Sequence, residues 1–87
     1  MDGTMSIHYP VISPYYGTVE QVIHPASSYF YEWDTLFLIR TDEGAIEEIV
    51  ADIDGCFLSC EVMDGDRVIP GMVLAYIQED IQRTGSE

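Results

Sequence analysis

Lysine is absent from this 87-residue chain, and its only strong bases are Arg40, Arg67 and Arg83. Without an ε-amine, no side chain here can form an amide with an acyl group. Arginine is no substitute, because its guanidinium stays protonated near neutral pH and is a poor nucleophile. Sixteen acids stand against the three arginines, a formal charge of −13. Such a surface cannot neutralise phosphates, which disfavours a nucleic-acid partner. An anionic membrane surface is disfavoured for the same reason. The complementary partner is another protein with a basic surface, although the acids also serve simply to keep a small domain soluble.

Cysteine and histidine are scarce as well. Cys56 and Cys60 lie four apart. On one strand they share a face with Cα atoms about 13 Å apart, too far for a disulfide. Both are expected as small buried apolar residues. No charged segment precedes an apolar stretch in the manner of a signal peptide, and no apolar run reaches spanning length, so a reducing cytoplasm is the expected setting. His8, His24 and the cysteines have neither C-x-x-C nor H-E-x-x-H spacing, so no zinc set is expected. A nucleophilic cysteine needs a base and an electropositive setting, and this acidic chain offers the opposite. Asp42-Glu43 and Glu47-Glu48 are sequence neighbours that point to opposite faces of a strand and make poor acid/base pairs. Asp64-Gly65-Asp66 lacks the spacing and the terminal glutamate of an EF-hand loop. The chain is therefore expected not to be an enzyme and to hold no metal or cofactor.

What is present is a repeat. Gly17 in P-Y-Y-G-T-V finds its counterpart in Gly55 of D-I-D-G-C-F. The step from position 17 to position 55, applied without a gap, carries Val19 to Phe57, Val22 to Cys60, Phe30 to Val68, Leu36 to Leu74 and Ile39 to Ile77. Each half reads as short strands between turns. In the first half these are Gly17 to Ile23, Tyr29 to Tyr31 and Thr35 to Arg40. In the second they are Gly55 to Val62, Arg67 to Ile69 and Met72 to Ile77. Ala45 to Ile53 reads as a further strand. Asp64-Gly65 is a tight-turn signal, and Pro70-Gly71 suits the centre of a type II turn.

Two related half-sheets, each unable to bury its apolar face alone, must pack on one another. The expected fold is all-β, a flattened barrel-sandwich of two quasi-equivalent half-sheets with a pseudo-twofold axis. Gly17, Gly55, Gly65 and Gly71 are its structural turn positions, and a side chain at Gly17 or Gly55 is costly if φ is positive there. Residues 1–10 are expected as an N-terminal extension, 11–78 as the domain and 79–87 as a fraying tail. Phe30 is assigned to the core, and Tyr29, Tyr31 and Trp33 to a partly exposed aromatic patch suited to a partner protein.

These residues resemble the biotinyl/lipoyl attachment domain family, which is built from one hybrid motif of two similar halves. Pro14-Tyr15-Tyr16-Gly17-Thr18-Val19 is similar to the family's opening P-x-x-G-T-V. Ile53-Asp54-Gly55-Cys56-Phe57 is similar to its V-D-G-x-V. Gly65-Asp66-Arg67-Val68-Ile69-Pro70-Gly71-Met72-Val73-Leu74 matches every marked position of G-D-x-V-x-x-G-x-x-L. The first half departs from that last pattern, with Ser27 and Trp33 at its two glycine positions. The resemblance implies a hairpin between the halves that carries the modified lysine. Here that position falls near Gly44, within Arg40-Thr41-Asp42-Glu43-Gly44-Ala45.

The resemblance and the missing lysine together imply a non-carrying biotinyl/lipoyl-like domain that acts in protein–protein interaction. Its contact surfaces are expected at the hairpin Thr41, Asp42, Glu43, Gly44 and Ala45 and at the aromatic patch. One alternative is a degenerate or accessory carrier-like subunit of a biotin-dependent carboxylase or a lipoyl-dependent complex. Another is a barrel that binds a small ligand. Open strand edges leave room for a homodimer.

Overall fold

In a computed structural model, residues 7–80 are described, and they form eight strands and no helix. The strands are β1 (His8–Ile12), β2 (Gly17–Val22), β3 (Tyr29–Phe30), β4 (Thr35–Thr41), β5 (Ile46–Val50), β6 (Gly55–Cys60), β7 (Arg67–Val68) and β8 (Val73–Glu79). Each strand of the first half recurs in the second with the same length, at the offset that carries Gly17 to Gly55. The expected all-β sandwich is what forms, as two four-stranded antiparallel sheets packed together.

Each sheet draws its strands from both halves of the chain. One sheet runs β1-β8-β6-β3 and the other β5-β4-β2-β7. Each half therefore donates two strands to each sheet. Neither half folds around its own core, and the two sheets exchange under the pseudo-twofold axis. Every outer strand crosses to the opposite half: β1 lies on β8 and β5 on β4, and the short β3 and β7 cross as well. Two residues are too few to make a stable ladder beyond one neighbour, and each finds its partner in the opposite half, Phe30 facing Gly55 and Val68 facing Gly17.

The symmetry extends to backbone details. The β2–β4 ladder slips between Val19 and Gln21, and the β6–β8 ladder slips at the equivalent place, between Phe57 and Ser59. Each bulge changes the side-chain parity of its strand. Val19 and Val22, three apart, both reach the core, and so do Phe57 and Cys60. Cys56 and Cys60 therefore do not share a face as a regular strand dictates, and both are half-buried free thiols instead of fully buried ones. The Cys60 thiol donates to the Val62 carbonyl at 3.1 Å.

The core sits between the sheets. Phe30, Phe37 and Phe57 are its largest members, with ring centroids 5.5 Å (Phe30–Phe57) and 6.0 Å (Phe37–Phe57) apart and edge-on geometry. Their symmetry mates are Val68, Ala75 and Val19, all buried. Large residues thus face small ones across the axis, which fills the space without a clash of identical rings.

Strand β1 starts at His8, inside the stretch expected as an extension, and β8 ends at Glu79. Asp80 is still tied in, its N–H donating to the Asp54 carbonyl at 2.9 Å. Residues 1–6, and residues 81–87 of the expected tail, lie outside the described residues.

Gly17 and Gly55 are required for a reason other than positive φ, which neither has. A β-carbon at Gly17 meets the Arg40 carbonyl oxygen at 2.2 Å, and one at Gly55 meets the Gln78 carbonyl oxygen at 2.2 Å. Close approach of the neighbouring strand, not a left-handed backbone, excludes a side chain there.

Candidate functional site

The hairpin joining β4 to β5 stands at one end of the sandwich. Thr41 closes it three times. Its N–H donates to the Ala45 carbonyl at 2.7 Å, its carbonyl accepts from the Gly44 N–H at 2.8 Å, and its hydroxyl oxygen accepts from the Ala45 N–H at 3.2 Å. Gly44 takes φ +92°, so a side chain at that position is strained even though its β-carbon faces open space. The exposed carboxylates of Asp42 and Glu43 therefore form the apex.

Two contacts hold the apex to the body. The Asp42 N–H donates to the Tyr16 carbonyl at 3.0 Å. The Arg67 guanidinium, on β7, donates to both Asp42 carboxylate oxygens at 2.6 and 2.8 Å. This bidentate fork holds the Asp42 carboxyl below the usual carboxylate range, and Asp42 in turn pushes the Arg67 guanidinium further up. Both groups are exposed, so the pair is screened by salt and orients the loop more than it stabilises the fold. A shallow cleft of about 340 Å³ opens beside the hairpin, between the Pro14–Tyr16 loop and Asp42, Glu43 and Glu47. Sequence reasoning missed Tyr16 and Arg67 here. Arg67 lies 25 residues from Asp42, and no local pattern signals that pairing.

The aromatic patch of Tyr29, Tyr31 and Trp33 does not join this site. The seven residues of β4 carry the chain about 20 Å, from the turn at Trp33 to the hairpin. At the far end Tyr29, Tyr31 and Trp33 are all exposed. Tyr29 and Tyr31 pack edge-on at 5.4 Å. The Tyr29 hydroxyl donates to the Asp80 carboxylate, which pushes its pKa up to about 12. Tyr29 and Asp80 are the symmetry mates of Arg67 and Asp42, so the two ends carry different side-chain pairs on one backbone geometry.

Both turn glycines of the second half have positive φ, Gly65 at 93° and Gly71 at 91°. Their first-half mates are Ser27 and Trp33, which adopt φ of 72° and 76°. The first-half turns are thus retained despite the lost glycines. The Tyr31 carbonyl accepts from the Asp34 N–H at 3.0 Å, as the Ile69 carbonyl accepts from the Met72 N–H at 3.1 Å.

Along the open side of the sandwich, the edges of β1 and β5 border a half-open groove of about 400 Å³, floored by Leu36, Ile49 and Ile77. Among the described residues, no cluster of three or more His, Cys, Asp or Glu is placed to hold a metal ion. No helix among them is long and apolar enough to cross a membrane.

No protein-family model matches the sequence. No curated protein matches it either. Solved structures do. A single-chain, multi-domain long-chain acyl-CoA carboxylase superposes with a TM-score of 0.79 over 86% of this chain at 16% identity. The Kluyveromyces lactis urea carboxylase does so with a TM-score of 0.76 over 87% at 17% identity. The chain spans only 7% of the length of either carboxylase. The lipoyl domain of the 2-oxoglutarate dehydrogenase complex from Azotobacter vinelandii is matched over 98% of its own length and 87% of this chain, with a TM-score of 0.65 and 23% identity. The fold is therefore the biotinyl/lipoyl barrel-sandwich.

Proposed function

We propose that this chain is a non-carrying biotinyl/lipoyl-like domain whose hairpin docks on another protein. One observation carries the reading. The connecting hairpin is kept and pinned by Arg67, yet its apex is Asp42-Glu43-Gly44 in a chain with no lysine at all. A scaffold that presents a loop to partners remains, while the amine needed for acyl attachment is missing. The partner surface is basic, since it must complement a chain of charge −13. The setting is cytoplasmic, where the free thiols of Cys56 and Cys60 stay reduced. Affinity purification at low and high salt tests the docking. Association that weakens with salt and with Asp42→Arg/Glu43→Arg supports it, and association indifferent to both removes the hairpin as the contact. A Glu43→Lys variant, co-expressed with biotin or lipoate ligase, tests whether the apex stands where the attachment lysine would. A mass gain of the acyl group supports the placement.

A second reading is an accessory subunit of a biotin-dependent carboxylase or lipoyl-dependent complex. The likeness to two carboxylases and a lipoyl domain favours it. Co-purification with carboxylase or dehydrogenase subunits supports this reading, and their absence counts against it. A third, a small-ligand barrel, draws on the groove between the β1 and β5 edges. A thermal-shift screen without a hit dismisses it. The same edges are the surface through which a homodimer would form.

A further inference from the structure

Trp33 carries two costs that folding does not explain. Its φ of 76° lies in the left-handed region, where a β-carbon crowds the backbone carbonyl. The symmetry mate is Gly71, which takes 91° without a β-carbon. The indole is also 70% exposed, more than any other large apolar side chain among the described residues. Yet the turn is closed by main chain alone. The Trp33 N–H donates to the Ala51 carbonyl at 2.7 Å, and the Asp34 N–H to the Tyr31 carbonyl at 3.0 Å. A glycine makes both bonds, and the second half uses one. A strained backbone under an exposed indole points instead to binding.

The surroundings describe what binds. Tyr31 is 62% exposed and Tyr29 47%. Carboxylates are fixed among these rings by hydrogen bonds. Asp34 accepts from the Tyr31 N–H at 2.9 Å, and Asp54 accepts from the Glu32 N–H at 2.7 Å. Asp80 accepts from the Tyr29 hydroxyl. Glu32 adds a fourth carboxylate on an exposed residue. Arg40 and Arg67 are taken up elsewhere, by Glu20 and Asp42.

We infer that this aromatic and acidic face is a second docking surface, separate from the hairpin, and that its occupant is an arginine- or lysine-bearing segment of a partner protein. A basic side chain stacks on the Trp33 indole while the carboxylates face its charge. A purely apolar occupant leaves four carboxylates against hydrocarbon, and an anionic one is repelled. A purely ionic contact has no use for the exposed ring. The inference goes beyond the hairpin proposal and does not depend on it.

Trp33 is the chain's single tryptophan, so its emission reports on this face alone. The experiment titrates the full chain with an octa-arginine peptide, and with octaglutamate as control, by fluorescence and calorimetry. Octa-arginine is expected to change Trp33 emission saturably, and octaglutamate to leave it unchanged. Trp33→Gly relieves the strained φ and preserves the turn, and it is expected to weaken calorimetric binding about tenfold. In the neutral hairpin variant Asp42→Asn/Glu43→Gln, octa-arginine is still expected to change Trp33 emission saturably, because that ring reports on the far face and not on the hairpin. Absence of binding, unchanged emission at saturation, or equal affinity of Trp33→Gly overturns the proposal. So does a loss of stability in Trp33→Gly, which assigns the indole to the fold. Weakening by the hairpin variant in place of Trp33→Gly moves the contact to the hairpin, which overturns this proposal and leaves the hairpin reading standing.

Discussion

The two halves of the molecule, His8–Thr41 and Ile46–Glu79, trace one backbone with different side chains. Their strands, bulges and turn hydrogen bonds coincide when Gly17 is laid on Gly55. They differ most where the backbone turns left-handed. The second half meets those positions with Gly65 and Gly71, and the first with Ser27 and Trp33. Glycine makes such a turn easy without being what imposes it. Paired bonds on either side, such as Trp33 to Ala51 and Gly71 to Ser13, hold the geometry in both halves. Where two sequences fold alike, the contacts they share specify the fold, and the residues in which they differ are free to serve something else.

The sharpest way to break this equivalence is at the close strand approaches. Gly17→Ala and Gly55→Ala each place a β-carbon 2.2 Å from a carbonyl oxygen of the neighbouring strand. Each is expected to cost about 3 kcal/mol or more, because backbone has to move. Urea midpoints should fall by similar amounts in both. A variant that keeps the parent midpoint shows that the two approaches are not equivalent.

Exchanging the turn residues gives a smaller effect of opposite sign in the two halves. Trp33→Gly should gain about 0.5 to 1 kcal/mol, because relief of left-handed strain exceeds the added freedom of the unfolded chain. Gly71→Trp should lose about 1 to 2 kcal/mol from the same strain, since a β-carbon there meets nothing within 4 Å. Equal midpoints for parent and both variants remove the strain from the account of Trp33.

The smallest effects come from the two end pairs and appear at opposite ends of the pH scale. Asp42 has its folded pKa lowered, chiefly by the hydrogen bond from Arg67. Its contribution is present above the unfolded value of about 4 and is lost as pH falls through the folded value. Tyr29 is pushed up to about 12, chiefly by its hydrogen bond to Asp80. Its contribution is present below the unfolded value of about 10 and is lost as pH rises from there through the folded value. Arg67→Gln should return Asp42 to the ordinary range in a carboxyl NMR titration. Asp80→Asn should lower the Tyr29 transition in tyrosinate absorbance. If either titration is unmoved, that pair does not exist in solution.

Much of the scaffold was legible residue by residue. The buried residues Phe30, Leu36, Ile39, Phe57, Val68, Leu74 and Ile77 lie on the register read from the sequence. Pro70-Gly71 forms the expected turn, closed by the Met72 N–H. The strand His8–Ile12 was not legible as the counterpart of Ile46–Val50. The segments H-Y-P-V-I and I-E-E-I-V share only a pair of apolar residues at their ends, and an edge strand needs little more than that to join its sheet. The Tyr29 and Trp33 face was legible in composition and not in place. Only the fold shows that it stands at the opposite end from the hairpin.

By itself the sequence determined the chemistry that is missing and the period of the chain. A chain without lysine offers no side-chain amine in any conformation, and a gapless apolar register between two halves permits few folds other than a duplicated one. Tertiary structure alone decided how the halves share their strands, why Gly17 and Gly55 must lack a side chain, and that Trp33 takes a glycine's conformation. Each of those depends on which backbone lies against which. That is settled by packing two sheets around one core and by satisfying their hydrogen bonds together, and no local stretch of residues encodes it.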